Sequence, residues 1–149
     1  RGATAVVAEG GESGGHIGEA NTMALIPQVA DAVDIPVIAA GGIADGRGYA
    51  AALMLGAEGI QMGTRFLVAK ECNIHPNFKA KVLKAGDTAT MVSGRRLGHP
   101  IRSLKTPFSR KFAEMEKDAS VTDEQLNAFG TGALRKAVTD GDDANGVFM

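Results

Sequence analysis

One histidine stands among glycines in an eleven-residue segment near the start of the chain. Five glycines surround His16 between Glu9 and Glu19, directly after an apolar run. Glycine lets backbone N–H groups come close to a flat or anionic ligand, and imidazole gains or loses a proton near neutral pH. A lone histidine is more often held by the backbone of a loop. The density of glycines favours a ligand site, with His16 as the candidate catalytic residue.

Two further glycine-containing turns have the composition of phosphate-binding sites. Gly41 and Gly42 follow an apolar run and precede a predicted helix. The run Gln61-Met62-Gly63-Thr64 repeats the arrangement one unit later. Such turns leave backbone N–H groups available to an anion, and the Thr64 hydroxyl adds a donor. Either turn alone is also compatible with a simple tight connection. Two on successive units indicate a phosphate site.

These turns end short apolar segments that alternate with helical ones. Asn21 or Thr22 is a candidate cap for the first helix, with Pro27 in its first turn. Asp45 and Arg47 are expected to form a local ion pair. Continuous apolar runs predict buried parallel strands at 4–8, 37–40 and 58–62. Helical spacing predicts helices through 26–33, 47–55 and 64–70.

Alternating strands and helices form either a doubly wound sheet or a barrel. The Gly-x-Gly-x-x-Gly pattern of a dinucleotide-binding sheet is absent. Glycine turns after successive strands favour the C-terminal part of a (β/α)8 TIM barrel, with parallel strands and an elaborated helical tail. We expect barrel units in residues 1–70 and a basic loop with a C-terminal helical extension in 71–149. A whole barrel needs about 250 residues, so the N-terminal half is expected to be missing.

The second half of the chain is less regular. Thr122 and Gln125 are spaced as a capping box for a helix that runs toward Ala137. A helix at 76–85, a strand at 88–93 and an extended basic loop at 95–108 are also predicted. Residues 79–111 carry nine basic and one acidic side chain, a net charge of +8. This stretch is either a set of solvated faces or a surface for an anionic partner.

Composition excludes several classes of protein. Apolar residues make up 44% and charged residues 22%, as in soluble globular domains. The single cysteine, Cys72, excludes a disulfide framework and favours the cytoplasm. No apolar run approaches the roughly 20 residues that cross a bilayer, so no membrane partner is expected. The histidines and Cys72 lack zinc-ligand spacing, and the basic stretch lacks interleaved aromatics for nucleic acid.

Three motifs together resemble the family of nitronate monooxygenases and flavin-dependent enoyl-acyl-carrier-protein reductases. They are residues 12–18 (ESGGHIG), residues 35–48 (IPVIAAGGIADGRG) and residues 61–67 (QMGTRFL). In the tail, residues 71–79 (ECNIHPNFK) and 129–138 (FGTGALRKAV) are more similar to the enoyl reductase branch. The resemblance covers nearly the whole chain, and it implies a TIM barrel that binds FMN at the carboxyl ends of its strands.

The resemblance also implies roles for particular residues. Gly41, Gly42 and residues 61–64 would bind the FMN phosphate, Glu9 and the Gly14-Gly15 turn would line the flavin, and His16 would be the active-site histidine. The enoyl reductase branch implies an acyl thioester substrate, NADH or NADPH as co-substrate and stimulation by a monovalent cation. An acyl-carrier protein, the rest of the barrel and a second copy of the chain are the expected protein partners.

Three alternative interpretations remain at this level. A nitronate monooxygenase would use the same FMN site, with His16 as a base and O₂ as oxidant. A barrel that binds phosphosugars would share the phosphate turns without a flavin. The chain alone is also compatible with an inactive fragment.

Overall fold

The computed structural model describes residues 2–149. The chain divides into two compact units, of which the first ends at Arg65 and the second begins at Phe66. The predicted division near residue 70 remains a prediction. Within residues 2–149, no helix has the length and apolar character needed to span a bilayer.

The first unit contains the predicted parallel sheet. Its strands are β1 (Val6–Glu9), β3 (Val37–Ala40) and β4 (Gly59–Gln61), in the order β1-β3-β4. Both pairings are parallel, which the predicted strand-helix-strand units require. A two-residue strand, β2 (Gly15–His16), lies in the loop after β1. All three predicted strands are present: β3 has the predicted ends, and the ends of β1 and β4 differ from the prediction by one or two residues.

Helices connect these strands. The first unit contains α1 (Thr22–Ala32) and α2 (Gly46–Met54), and α3 (Thr64–Leu67) begins just after β4. The helix α1 starts earlier than the apolar spacing indicates, so the prediction that Pro27 lies in the first turn is wrong. Pro27 instead lies inside the helix. There proline cannot donate the backbone bond that another residue would make.

The core of the first unit is aliphatic and contains small side chains. Helix α1 contributes a fully buried isoleucine, and the rest comes from the strands, from α2 and from the turn after it. Its buried members are Ala8, Ile26, Val37, Ala39, Ala52 and Ala57. Small side chains allow the helices to pack close to the sheet. Short connections from β3 to α2 and from β4 to α3 place the N-termini of these helices near the carboxyl ends of the strands, where the candidate site lies.

The second unit is an antiparallel hairpin with several helices. Strands β5 (Thr90–Ser93) and β6 (Ile101–Leu104) pair in antiparallel register. The helices are α4 (Pro76–Lys84), α5 (Pro107–Lys117), α6 (Asp123–Gly130) and α7 (Ala133–Arg135). A π-helical turn, Lys136–Asp140, follows α7 directly. The predicted helix at 76–85 and strand at 88–93 are therefore present, with small differences at their ends.

The prediction of an extended loop over residues 95–108 is wrong. Strand β6 occupies part of this range, and α5 begins at Pro107. The residues of β6 are Ile-Arg-Ser-Leu, which do not alternate between apolar and polar types, so the sequence lacks the period-2 signal of a strand. Besides its pairing with β5, β6 makes a long-range hydrogen bond: the Leu104 N–H donates to the Phe148 carbonyl at 2.7 Å.

The helix predicted from Thr122 toward residue 137 is not continuous. Its start is confirmed, because Thr122 and Gln125 form the predicted capping box. The helix ends at Gly130, Thr131 is extended, and Gly132 has a φ of +75°. Left-handed backbone is accessible to glycine, so Gly132 allows the chain to turn before α7.

Candidate ligand site at the carboxyl ends of the parallel strands

Register places two of the predicted site residues on either side of the central strand. Ala40, the last residue of β3, pairs with Glu9 of β1 and with Gln61 of β4. Since all three strands are parallel, the turns that follow them leave from the same edge of the sheet. The structure therefore brings together the two turns that the sequence predicts for phosphate.

The Gly41-Gly42 turn has a backbone that only glycine adopts readily. The φ angles are +99° at Gly41 and +70° at Gly42. A Cβ at Gly41 would lie 2.8 Å from Ser13 Oγ and 2.9 Å from the Gly10 carbonyl oxygen. Both the backbone conformation and the close neighbours therefore require glycine at Gly41.

A hydrogen-bond network joins this turn to the start of α1. Glu12 accepts from the Thr22 backbone N–H at 3.0 Å, and its Oε2 lies 2.9 Å from the Thr22 hydroxyl. The same hydroxyl lies 2.9 Å from the Gly41 carbonyl oxygen. Asn21 occupies the N-cap position but makes no side-chain capping bond. Glu12, ten residues before the helix, supplies the acceptor that local sequence predicted from Asn21 or Thr22.

The helix α2 is capped by an acidic residue of its own. Asp45 accepts from the backbone N–H groups of Arg47 and Gly48 at 2.9 and 3.4 Å. Its side chain also accepts from Arg47 Nε at 3.0 Å, which confirms the predicted ion pair. The side-chain and backbone bonds from Arg47, together with the Gly48 N–H, lower the pKa of Asp45 from 3.8 to about 2. The first turns of α1 and α2 are thus both occupied by acidic acceptors.

The turn after β4 offers a different environment. Within residues 2–149, no residue other than its chain neighbours lies within 4 Å of the position that a Cβ would take at Gly63. Gly63 and Thr64 are exposed, and Met62 is half-buried. Backbone at this turn is therefore accessible to a ligand, with no acidic side chain in the first turn of α3.

His16 lies farther along the loop that follows β1. A bond of 2.9 Å from Gly11 N–H to the Ala20 carbonyl closes the base of this loop. His16 is exposed in β2, Gly15 is half-buried with a φ of +95°, and Gly14 is exposed. The histidine is thus accessible to solvent in a segment that starts from the same edge of the sheet.

Much of the basic stretch at 79–111 is used inside the second unit. Arg96 donates to the Asp118 and Val121 carbonyls at 3.2 and 2.7 Å, and it pairs with Asp123 at 2.9 Å. Lys81 pairs with Asp143 at 3.0 Å. Partners within the unit are also present for Lys79, Arg102 and Lys105. Several basic side chains of residues 79–111 therefore form hydrogen bonds and ion pairs within the second unit, so part of the net charge of this stretch has a structural role.

Sequence reasoning missed the roles of Glu12 and Thr22. Thr22 was considered only as a helix cap, and its contact with Glu12 has no local signal because the bond joins positions ten residues apart across a glycine-rich loop. In the described part of the chain, no group of three or more His, Cys, Asp or Glu side chains is arranged to hold a metal ion.

The whole chain, residues 1–149, matches the family model described as nitronate monooxygenase. The chain therefore belongs to the nitronate monooxygenase family, which confirms the resemblance noted in its sequence.

The relatives of this chain include proteins with different names, among them a CoA dehydrogenase and a probable nitronate monooxygenase. The chain is 52% identical over 105 residues to (3aS,4S,5R,7aS)-5-hydroxy-7a-methyl-1-oxo-octahydro-1H-indene-4-carboxyl-CoA dehydrogenase of Rhodococcus jostii, covering 70% of this chain and 30% of the relative. It is 39% identical over 142 residues to a probable nitronate monooxygenase of Staphylococcus saprophyticus, covering 88% and 39%. Its structure matches FabK from Thermotoga maritima with a TM-score of 0.95 at 55% identity, covering 99% and 47%.

The chain thus spans less than half the length of each of these three relatives. The structural match confirms the predicted α/β fold class, a part of a TIM barrel with parallel strands.

Proposed function

We propose that the protein is an FMN-dependent oxidoreductase that reduces the double bond of an enoyl thioester with NADH or NADPH, as an enoyl-acyl-carrier-protein reductase does. The proposal rests on one observation: Glu9, Ala40 and Gln61 are aligned at the carboxyl ends of the three parallel strands. It brings two phosphate-type turns together where barrels bind ligands. The structural match to FabK supports the enoyl reductase branch.

The residues at this edge fit a flavin phosphate. Gly41 and Gly42 form a left-handed turn, and the Gly63 position is accessible. The backbone of this turn and of residues 61–64 would hold the phosphate, and Glu9 with the Gly14-Gly15 turn would line the flavin. Bound FMN supplies the redox chemistry, because it takes up and releases a hydride.

His16 would hold and deliver the proton that the reduction requires. Imidazole changes its charge near neutral pH, and His16 lies exposed in the loop that leaves the ligand edge. In an enoyl reduction, the carbon next to the thioester carbonyl must gain a proton. General acid catalysis by a positioned side chain accelerates such a step by about 10²–10⁴.

Two relatives favour different substrates. The Rhodococcus dehydrogenase has a carboxyl-CoA substrate in its name, which is a thioester, and it supports an acyl thioester here. The Staphylococcus relative and the family description support nitronate oxidation as the second candidate. In that reaction His16 would act as a base on a carbon acid. The two candidates share the FMN site and differ in what reduces the flavin.

Stopped-flow absorbance of the flavin in the intact protein separates the two candidates. An enoyl reductase should be bleached anaerobically by NADH or NADPH, and colour should return with an enoyl thioester. His16→Ala should leave the bleaching largely intact and slow the return of colour by about 10²–10⁴. Glu58→Ala is the control, since Glu58 is exposed and directly precedes β4, at the amino ends of the parallel strands and therefore opposite the candidate site. Bleaching by a nitronate but not by pyridine nucleotide would reject the enoyl reductase function, and a colourless protein would reject FMN.

A proposal about assembly follows from the sheet. Strands β1 and β4 are the two edges of the three-stranded sheet. Unpaired edges associate with other strands, so we propose that the remaining barrel strands cover them in the working enzyme. Residues 2–149 produced alone should therefore associate or aggregate. A monomeric fragment with a cooperative melting transition would contradict this.

A further inference from the structure

We infer that Thr22 and Glu12 are positioning residues that set the orientation of the Gly41-Gly42 peptide toward its ligand. This inference rests on the proposed function, since it concerns the turn that we propose holds the FMN phosphate. It starts from a contact that neither sequence motifs nor helix-capping rules predicted. The Thr22 side chain is buried at the start of α1, and it reaches the carbonyl oxygen of Gly41.

The bond between Thr22 and Gly41 fixes a peptide plane. The Thr22 hydroxyl oxygen lies 2.9 Å from the Gly41 carbonyl oxygen, a good hydrogen-bond distance. In a trans peptide, the carbonyl and the next N–H point in opposite directions. Holding the Gly41 carbonyl toward α1 therefore turns the Gly42 N–H away from α1. Gly42 is exposed, so this orientation presents its N–H to a ligand.

Without such a bond, the peptide has little to hold it. Both flanking glycines tolerate positive and negative φ, so the plane between Gly41 and Gly42 is free to flip. A flipped peptide would present the carbonyl oxygen to the phosphate in place of the N–H. Thr22 thus selects the peptide orientation that donates to an anion.

Glu12 controls whether the Thr22 hydroxyl is available. Its Oε2 and the Gly41 carbonyl oxygen both lie 2.9 Å from Thr22 Oγ1. A hydroxyl has one proton to donate, so the carboxylate and the carbonyl compete for it. Glu12 also accepts from the Thr22 backbone N–H at 3.0 Å, which holds the residue in place. Glu12 therefore anchors Thr22 but weakens its bond to Gly41.

The Glu12 carboxyl also lies next to the turn. Its carbon is 3.9 Å from the position that a Cβ would take at Gly42. A negative charge beside this turn opposes a phosphate that is bound there. Replacing the carboxylate by an amide should therefore favour phosphate binding. An amide N–H can donate to the Thr22 hydroxyl, which frees the hydroxyl proton for Gly41.

The test compares FMN with riboflavin, which lacks the phosphate. Affinities for the intact apoprotein are measured by quenching of flavin fluorescence. Thr22→Val keeps the shape of the side chain and removes the hydroxyl. It should lower the affinity for FMN about tenfold and leave that for riboflavin within about twofold, while Thr22→Ser restores the preference for FMN. Thr131→Val, which removes a hydroxyl bond to the Asn127 carbonyl, is the matched control and should change neither affinity.

A second variant gives a prediction of opposite sign. Glu12→Gln should raise the preference for FMN over riboflavin by about three- to tenfold, because it removes a charge and frees the Thr22 proton. It also provides an independent test if Thr22→Val does not fold. The ³¹P resonance of bound FMN should shift in both variants and not in Thr131→Val.

The outcomes distinguish this inference from the proposed function. Equal loss of FMN and riboflavin in Thr22→Val would mean a merely structural role, and would overturn the inference while FMN binding stands. An unchanged or lowered preference for FMN in Glu12→Gln would overturn the competition between carboxylate and carbonyl. An unmodified protein that binds neither flavin would overturn the proposed function and the inference together.

Discussion

The two units of the chain stabilise their helices and cores by different means. The first has a core of small aliphatic side chains, and its helix α1 is capped by Glu12 from a distant loop. The second relies on aromatic packing and local caps. Phe78 packs on Phe148 with ring centroids 4.9 Å apart, and Phe108 stacks on Phe129 at 4.8 Å. The first unit thus has polar groups and glycines at the carboxyl ends of its strands, whereas the second has large aromatic side chains packed against one another.

The largest effect should come from the aromatic core of the second unit. Phe148 is fully buried, and Phe148→Ala should lower the free energy of unfolding by about 3–5 kcal/mol. The exposed Phe66 gives a matched control, and Phe66→Ala should cost much less. Urea denaturation of the intact protein measures both. Similar losses for the two variants would contradict the difference in packing between these positions.

The caps and cores also explain what the sequence could predict. The segments that form the parallel strands are local apolar runs, the Thr122 capping box and the Asp45–Arg47 pair join residues that are close in sequence, and all were predicted. Strand β6 depends on its pairing with β5 and on the Phe148 carbonyl, so local periodicity did not reveal it. The candidate site likewise has features that the local sequence reveals and features that depend on distant residues. Glycine turns were visible as composition, but the bond from Glu12 to α1 crosses a ten-residue interval.

The two glycine turns should respond differently to substitution. Gly41→Ala forces a side chain into left-handed backbone beside the Gly10 carbonyl, and should cost about 1–3 kcal/mol of stability in the apoprotein. Among the described residues, none beyond its chain neighbours lies within 4 Å of a Cβ at Gly63, so Gly63→Val should leave apoprotein stability nearly unchanged. It should nevertheless weaken FMN binding about 10- to 100-fold, because the added side chain fills the space in which the phosphate would approach the backbone N–H and so prevents that hydrogen bond.

Thermal melting of the apoprotein and fluorescence titration with FMN test this pair of variants. Gly86→Val is the control for Gly63→Val, because Gly86 is an exposed loop glycine where an added Cβ also has open space. Unchanged flavin affinity in Gly63→Val would place the phosphate elsewhere. Equal destabilisation of the apoprotein by Gly41→Ala and Gly63→Val would contradict the difference in their surroundings.

Helix capping gives a smaller contrast between the units. Thr106 caps α5 in a buried capping box, accepting from Ser109 N–H at 3.2 Å while Ser109 Oγ accepts from Thr106 N–H at 2.8 Å. Thr106→Ala should therefore cost about 0.5–2 kcal/mol. Asn21→Ala should cost close to nothing, because Asn21 makes no capping bond and Glu12 serves α1. Urea unfolding of both variants checks this, and a larger loss for Asn21→Ala would refute the long-range cap.

The smallest effect concerns acid titration, where an ion pair in the first unit can be compared with a hydroxyl contact in the second. Hydrogen bonds from the Arg47 side chain and backbone, then from the Gly48 N–H, hold the pKa of Asp45 at about 2 against its ordinary 3.8. The bond from the Ser120 hydroxyl is the main cause that lowers the pKa of Asp118.

A carboxyl group with a lowered folded pKa stabilises the fold above its unfolded pKa. The contribution of Asp45 is therefore present above about pH 4 and lost as the pH falls through about 2. NMR titration of the carboxyl carbons should show Arg47→Met raising the midpoint of Asp45 toward 3.8 without reaching it, because the backbone bonds remain. Salt at about 1 M should raise the midpoint of Asp45 more than that of Asp118, since screening weakens an exposed ion pair more than a neutral hydrogen bond. A larger salt effect on Asp118 would show that its lowered pKa depends on charge, and that the two units do not differ in this respect.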